Sequence, residues 1–212
     1  MIRLIQGHNR HLHKREMDEF HRLRKRVFFE RMRWDVPIIG DWEIDGYDAL
    51  DPLYLVCLDE QERLIGGLRL LPTMGLNMLN DTFSQLLPEG KRIESPLIWE
   101  ASRFAVDHEA NIPVTPKGIG RATAELGMGS IEVGERLGLK FIVAVYDAFL
   151  HRAMKRGGCQ GDPLGPPKRI GKVAAYAVHF EVSESMKETI RIAGNIRGSV
   201  LEKSRGKIAL VA

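Results

Sequence analysis

A carboxylate and a guanidinium, Glu100 and Arg103, stand three residues apart inside the otherwise apolar stretch Ile98 to Val106. The stretch reads as a buried strand. Alternate residues of a strand point to opposite faces, so regular pleating does not bring Glu100 and Arg103 onto one face. Either one of them reaches a pocket or the strand bulges. Burying a charge without a partner costs several kcal/mol, and most strands avoid it. An acid and a base placed there together point to a polar cleft in the middle of a sheet, able to bind an anion and move a proton. The plainer alternative is a structural ion pair.

The elements around this strand carry matching groups. From Arg15 to Met32 the apolar residues Met17, Phe20, Leu23, Val27 and Phe28 recur at helical spacing. Arg24 lies four residues from Phe20 and four from Phe28, so it shares their core-facing stripe. It either snorkels to the surface or meets an anion or a loop carboxylate in a pocket. The following loop, Trp34 to Ala49, holds the acidic-aromatic run Asp41-Trp42-Glu43-Ile44-Asp45-Gly46-Tyr47-Asp48. It is long enough to fold over a cleft.

Arg24, Phe28, Trp34, Asp45, Asp48, Arg69, Phe83, Glu100 and Arg103 together resemble the residue set of the acyl-homoserine-lactone synthases, the LuxI-type autoinducer synthases. The local contexts agree: Val27-Phe28, Glu43-Ile44-Asp45-Gly46-Tyr47-Asp48, Gly67-Leu68-Arg69-Leu70-Leu71-Pro72 and Trp99-Glu100-Ala101-Ser102-Arg103-Phe104. The likeness runs from the N-terminus to about residue 185. Separated positions agreeing in order and spacing are far more specific than one short glycine motif.

The resemblance implies a fold and an activity. The fold is a three-layer α-β-α sandwich of the acyl-CoA N-acyltransferase, Gcn5-related type. Its mixed, mostly antiparallel sheet opens a V-shaped cleft for a pantetheine arm. The activity is acyl transfer, from acyl carrier protein or acyl-CoA, to the amine of S-adenosylmethionine. Lactonisation then releases an acyl-homoserine lactone, a quorum-sensing signal, and 5′-methylthioadenosine. S-adenosylmethionine is a substrate, and no cofactor or metal is required.

Roles follow residue by residue. Glu100 is the candidate base for the amine, directly or through one water, because burial raises a carboxylate toward neutrality. Arg24 and Arg103 are candidates for the carboxylate of S-adenosylmethionine, which a guanidinium holds with two parallel bonds. Arg103 has a second reading, as a lock on the loop carboxylates. Asp45 and Asp48 hold the amine, the sulfonium side or a structural arginine. Arg69 reads as an ion-pair anchor for the acidic loop. Phe28, Trp34 and Phe83 wall an adenosyl and sulfonium pocket, where an aromatic face attracts a cation. Plain core is the alternative for all three. Ser102 and Phe104 flank Arg103 and are grouped with the substrate contacts. Phe141, Val143, Tyr146 and Phe149 are the expected acyl-pocket residues, and which of them face the tunnel stays open. The strand Phe141 to Tyr146 lacks the threonine of some members that select 3-oxo chains, which leans toward an unsubstituted or otherwise different acyl group.

Composition sets bounds. The chain has 212 residues, 44% of them hydrophobic, enough for one substantial core, and no linker divides it. One domain over 1–212 is expected. No apolar run reaches membrane-spanning length and no signal-peptide core follows Met1, so a cytoplasmic protein is the default. The two cysteines give no disulfide framework, and the seven histidines show no metal-binding spacing. The net charge of +3 is unevenly distributed. Basic residues crowd His11 to Arg33 and form a second group, Lys155, Arg156, Lys168, Arg169 and Lys172. No nucleic-acid-binding signature accompanies them. An acidic carrier protein would be steered by such a face.

The pattern predicts strands at 1–5, 53–59, 64–71, 98–106, 141–145 and 173–182. It predicts helices at 15–32, 81–87, 118–137, 148–156 and from a capping box at Ser185 and Glu188 to about 193. A rival enzyme class rests on Thr115 to Ala122. A glycine-rich turn opening a helix can cradle the pyrophosphate of acetyl-CoA in a Gcn5-type N-acetyltransferase. That reading leaves the Trp34 to Asp48 segment unexplained.

Overall fold

Leu53, Leu55 and Cys57 pack toward one side of their strand, and Tyr54, Val56 and Leu58 toward the other. All six are buried, which is why the run is continuously apolar rather than alternating. The computed structural model describes residues 1–110, 113–115 and 117–202. Its main sheet joins β1 (Ile2–Ile5), β4 (Leu53–Leu58), β5 (Leu64–Pro72), β6 (Ile98–Val106), β7 (Phe141–Asp147) and β10 (Val173–Glu181) in that order. Among the described residues of these six strands, β6 and β7 run parallel and the other neighbours are antiparallel.

One face of the sheet is covered by α3 (Arg121–Leu137) and α5 (Glu184–Gly194), with Leu126, Ile131 and Ile190 in the shared core. The other face is covered by α1 (Lys14–Arg24), through Met17, Phe20 and Leu23. On that same side α2 (Met78–Asp81) contributes Leu79 to a separate cluster with Val143, Ala175 and Ala177. This is the three-layer, mostly antiparallel N-acyltransferase arrangement that the resemblance implies.

Strand and helix positions follow the hydrophobic pattern closely, with informative departures. The helix expected over 15–32 is α1 followed by a π-helical turn, Lys25–Arg31. Met32 N–H donates five residues back to Val27 O at 3.0 Å, and the wider turn keeps both Val27 and Phe28 buried. The long loop contains the hairpin β2 (Ile38–Ile39) and β3 (Trp42–Glu43), then a 3₁₀ turn Gly46–Ala49. The short helix expected at 81–87 splits into α2 and a 3₁₀ turn, Ser84–Leu86, because Asn77 caps Asn80 N–H and starts the helix early. The expected capping box at Ser185 and Glu188 is corrected: Ser183 is the cap, accepting from Met186 N–H, and α5 starts at Glu184. Between α4 (Ala148–Gly157) and β10, the short strands β8 (Asp162–Pro163) and β9 (Lys168–Ile170) carry too few residues to show a period.

Candidate active site

The strand that carries Glu100 and Arg103 bulges. Its partner β5 pairs Arg69 with Ser102 but Gly67 with Ala105, so two residues of β6, Arg103 and Phe104, stand opposite Leu68. Arg103 takes a φ of 53°, unusual for a residue with a side chain. Before the bulge, Glu100 and Ser102 point to the α1 and α2 side and Ala101 to the α3 side. After it, Ala105 belongs to the α1 cluster and Phe104 packs against the α3 cluster. Ser102 and Arg103 therefore share the face of Glu100. A second irregularity opens the site. The parallel pairing of β6 and β7 runs only from Ile98 and Phe141 to Ala101 and Ala144, while β7 stays paired with β10 to Asp147. The strands separate beyond Ala101, which makes the V-shaped cleft.

Three arginines and three carboxylates meet beside the bulge. Arg24 Nη1 and Nη2 donate to the two Asp48 oxygens at 2.9 and 2.8 Å, and its Nε donates to Glu43. Arg69 Nη1 donates to Asp45 and to Asp48, the latter at 2.9 Å, and its Nε donates to Ser102 Oγ at 3.2 Å. Arg103 Nη2 pairs with Glu43 at 2.9 Å and Asp45 at 2.7 Å. The Tyr54 hydroxyl donates to Asp48 at 2.7 Å. The three positive and three negative charges compensate one another, which permits their burial. Burial pushes the Asp48 carboxyl up, but the hydrogen bonds and charge of Arg24, with the charge of Arg69, hold it well below the usual range. Burial lowers Arg24 and Arg69, yet their carboxylates raise both.

The loop carboxylates arrive by local geometry. Asp45 caps the 3₁₀ turn, accepting from Tyr47 N–H at 2.9 Å, and Asp48 accepts from Asp45 N–H at 2.9 Å. This reciprocal capping box fixes their relative position. Glu43, on β3, is fully buried between Arg24 and Arg103.

Glu100 is 1% exposed. Its carboxylate accepts from Met78 N–H at 2.9 Å and from Leu79 N–H, at the start of α2. Burial raises its pKa, opposed by these N–H groups and by the charges of Arg69 and Arg103. The Met78 sulfur lies 3.3 Å from Arg69 Nη2 and 3.3 Å from Arg103 Nη1, tying α2 to the ion cluster.

The cleft has a volume of about 1120 Å³. Of the expected substrate contacts, Phe28, Trp34, Asp45, Phe83, Glu100, Ser102, Arg103 and Phe104 line it. Phe28 and Trp34 stack at 5.6 Å between centroids and 19° between planes, and the Arg103 guanidinium lies 5.4 Å from the centre of the Phe28 ring. For Arg24, Asp48 and Arg69 only the grouping with substrate contacts is corrected: Arg69 is the ion-pair anchor it reads as, Asp48 holds structural arginines, and Arg24 meets loop carboxylates. Arg24 is 0% exposed and, like Asp48 and Arg69, does not line the cleft; all three are held inside the ion cluster. The four expected acyl-pocket residues fall in different places. An apolar side chamber of about 110 Å³ lies between β6, β7, α3 and α5, and its lining includes Ile142, Ala144 and Tyr146. Val143 is buried on the opposite face, and Phe141 stacks on His179 at 4.7 Å. Phe149, 61% exposed, stands at the cleft rim. Of the four, Tyr146 lines both spaces.

Glu43, Tyr47, Tyr54 and Met78 complete the site and were not among the candidates. Glu43 was legible as part of the acidic run, two residues before Asp45. Nothing local marked Tyr54 or Met78, which read as ordinary core and helix residues.

An acyltransferase-type sheet, split beside a buried glutamate and an arginine-carboxylate cluster, defines the class. The comparisons with known proteins agree. The autoinducer synthase family model matches residues 8–190. An acyl-homoserine-lactone synthase of Agrobacterium fabrum is 38% identical over 161 residues, covering 76% of each chain. The structure of BjaI, a CoA-dependent acyl-homoserine lactone synthase, with S-adenosylmethionine and isopentyl-CoA superposes with a TM-score of 0.83 at 25% identity. That match covers 95% of this chain and 92% of BjaI. A Lactobacillus plantarum structure described as an N-acetyltransferase superposes at 0.53 with 15% identity, over 86% of this chain and 99% of its own, a likeness of fold alone. The chain belongs to the autoinducer synthase family, the acyl-homoserine-lactone synthases. It is an acyltransferase, and the Gcn5-type acetyltransferase reading is set aside.

Proposed function

We propose that the cleft binds S-adenosylmethionine against the Phe28–Trp34 pair and an acyl thioester along the opening between β6 and β7. The observation that carries this reading is the buried Glu100 facing the split of the sheet, with Arg103 and Asp45 beside it on the same wall. Glu100 takes a proton from the methionine α-ammonium, directly or through one water. The freed amine attacks the thioester carbonyl, the carbon–sulfur bond breaks, and the thiolate leaves and is protonated. Arg103 Nη1, opposed in this structure by the Met78 thioether, holds the substrate carboxylate. Asp45 takes the ammonium or sulfonium side. The carboxylate then attacks its own γ-carbon and expels 5′-methylthioadenosine. Holding the chain bent supplies effective molarity for that closure. S-adenosylmethionine is consumed as a substrate, and no step calls for a cofactor.

The acyl donor reading is acyl carrier protein or acyl-CoA. Basic residues of α1 and the π-helical turn after it are largely paired: Arg15 with Glu19, Arg22 with Asp18 and Asp41, Lys25 with Asp41, and Arg26 with Asp107. Among the described residues Lys155, Arg156, Lys168, Arg169 and Lys172 make no ion pair, and Arg156 and Lys172 line the cleft. This second group is the docking face for an acidic carrier protein. Among the described residues no helix is long and apolar enough to cross a membrane, and a cytoplasmic enzyme, where both substrates are made, is the reading proposed.

The test is mass spectrometry of the purified protein with S-adenosylmethionine and matched acyl-carrier-protein and acyl-CoA donors. Acyl-homoserine lactone appearing with 5′-methylthioadenosine is the expected result. Their absence with every donor overturns the reading.

A further inference from the structure

Glycine in a helix interior costs about 1 kcal/mol relative to alanine, so each one in α3 needs a reason. Two have a packing reason. A Cβ at Gly129 would sit 3.2 Å from Ile2, and one at Gly134 would sit 2.8 Å from Val182. Gly127 has none of that kind. A Cβ there meets only Ile190 Cδ1, at 4.0 Å. The space it would enter is the apolar side chamber, which Gly127 lines.

We propose that Gly127 sets the size of the acyl chamber, and that the chamber selects a short, apolar acyl tail. This rests on the acyl-homoserine-lactone synthase reading of the cleft. Ala101, Phe104, Thr123 and Tyr146 line both spaces and form the throat. Ile131, Met154, Phe180, Met186 and Ile190 line the chamber with Gly127 but not the cleft. The hydroxyl of Ser130, which also lines the chamber, donates to Leu126 O at 2.9 Å, so it offers the tail no free proton. The chamber measures about 110 Å³. An engineered cavity of about 150 Å³ takes one benzene ring, so this one holds about four carbons of a tail. With the carbonyl and its neighbouring carbon in the throat, the favoured acyl group has about six carbons.

The test uses the full chain with S-adenosylmethionine and saturated straight-chain donors from butanoyl to tetradecanoyl, as both acyl-CoA and carrier-protein thioesters. Lactone yield is read by mass spectrometry. The wild type is expected to favour hexanoyl. Gly127→Ala is expected to move the optimum to butanoyl and to lower kcat/KM for octanoyl about tenfold, the scale of one methylene in an apolar pocket. Its melting temperature is expected to hold or rise, which separates a filled chamber from a damaged fold. Met186→Ala is expected to move the optimum toward octanoyl or longer. A wild-type optimum at decanoyl or beyond, or an unchanged profile in Gly127→Ala, overturns the proposal and leaves the synthase reading standing. No lactone from any donor overturns both.

Discussion

Glu100 and Asp48 are carboxylates moved in opposite directions by their surroundings. Glu100 is raised by burial, against the two N–H groups it accepts. If it is the base, its carboxylate form is lost as pH falls through a folded pKa above the ordinary glutamate value of about 4.3. The acidic limb of kcat/KM, which reports the free enzyme, is expected above that value in the wild type. In Glu100→Gln that limb is expected to vanish, with kcat lower by about 10² to 10⁴. Methylthioadenosine release across a pH series checks both, and a variant rate near wild type removes Glu100 from the mechanism. Asp48 is lowered by its arginines, so its stabilisation is present above an unfolded pKa of about 3.9 and disappears as pH falls through the folded value. Asp48→Asn leaves Arg24 and Arg69 short of a partner inside the protein. It is expected to cost about 3 to 5 kcal/mol at neutral pH in denaturant unfolding, and to lose less than the wild type on acidification. The residue types were legible in the sequence; their division of labour was not. Arg24, Arg69 and Arg103 look alike on paper, and each is held by two buried carboxylates, yet of the three Arg103 alone lines the cleft, because it stands on β6 just beyond the point where β6 and β7 separate.

At the scale of elements, the hydrophobic period placed the main strands and helices because each buries its own stripe. Ends and interruptions depended on particular hydrogen bonds. The cap of α5 shows this. Ser183 and Ser185 are both plausible caps by type, and Ser183 accepts the Met186 N–H. Ser183→Ala is expected to cost about 1 kcal/mol and Ser185→Ala much less, read as midpoint shifts in thermal or urea melts. Equal costs would return the cap to Ser185. The bulge in β6 is a different kind of feature. The spacing of Glu100 and Arg103 called for either a bulge or a pocket, and the choice lies in register with β5. A Cβ on Gly67 would meet the Phe20 ring at 2.6 Å, so α1 packs directly on the strand opposite the bulge. That contact joins residues 47 positions apart and has no local trace in either segment.

Over the whole molecule, the two basic segments look equivalent in sequence and differ in the folded protein. The charges of α1 and the turn after it have acidic partners on the helix itself, the loop and the end of β6, whereas the α4 and β9 charges beside the cleft have none among the described residues. Lys155→Glu combined with Arg156→Glu is expected to lower kcat/KM for carrier-protein donors several-fold at low salt, with the difference shrinking as salt is raised. Arg22→Glu is expected to change it less. Initial rates at two ionic strengths check this, and an equal loss for both variants would move the docking face to α1. By itself the sequence determined the family, the layered α/β class and the groups gathered near the site, because side-chain type and periodic burial are local properties of the chain. The tertiary structure decided which of the three arginines lines the cleft, where the sheet splits and how much room lies beside Gly127. Those depend on strand register and on charges far apart in the chain converging, and no local pattern encodes either.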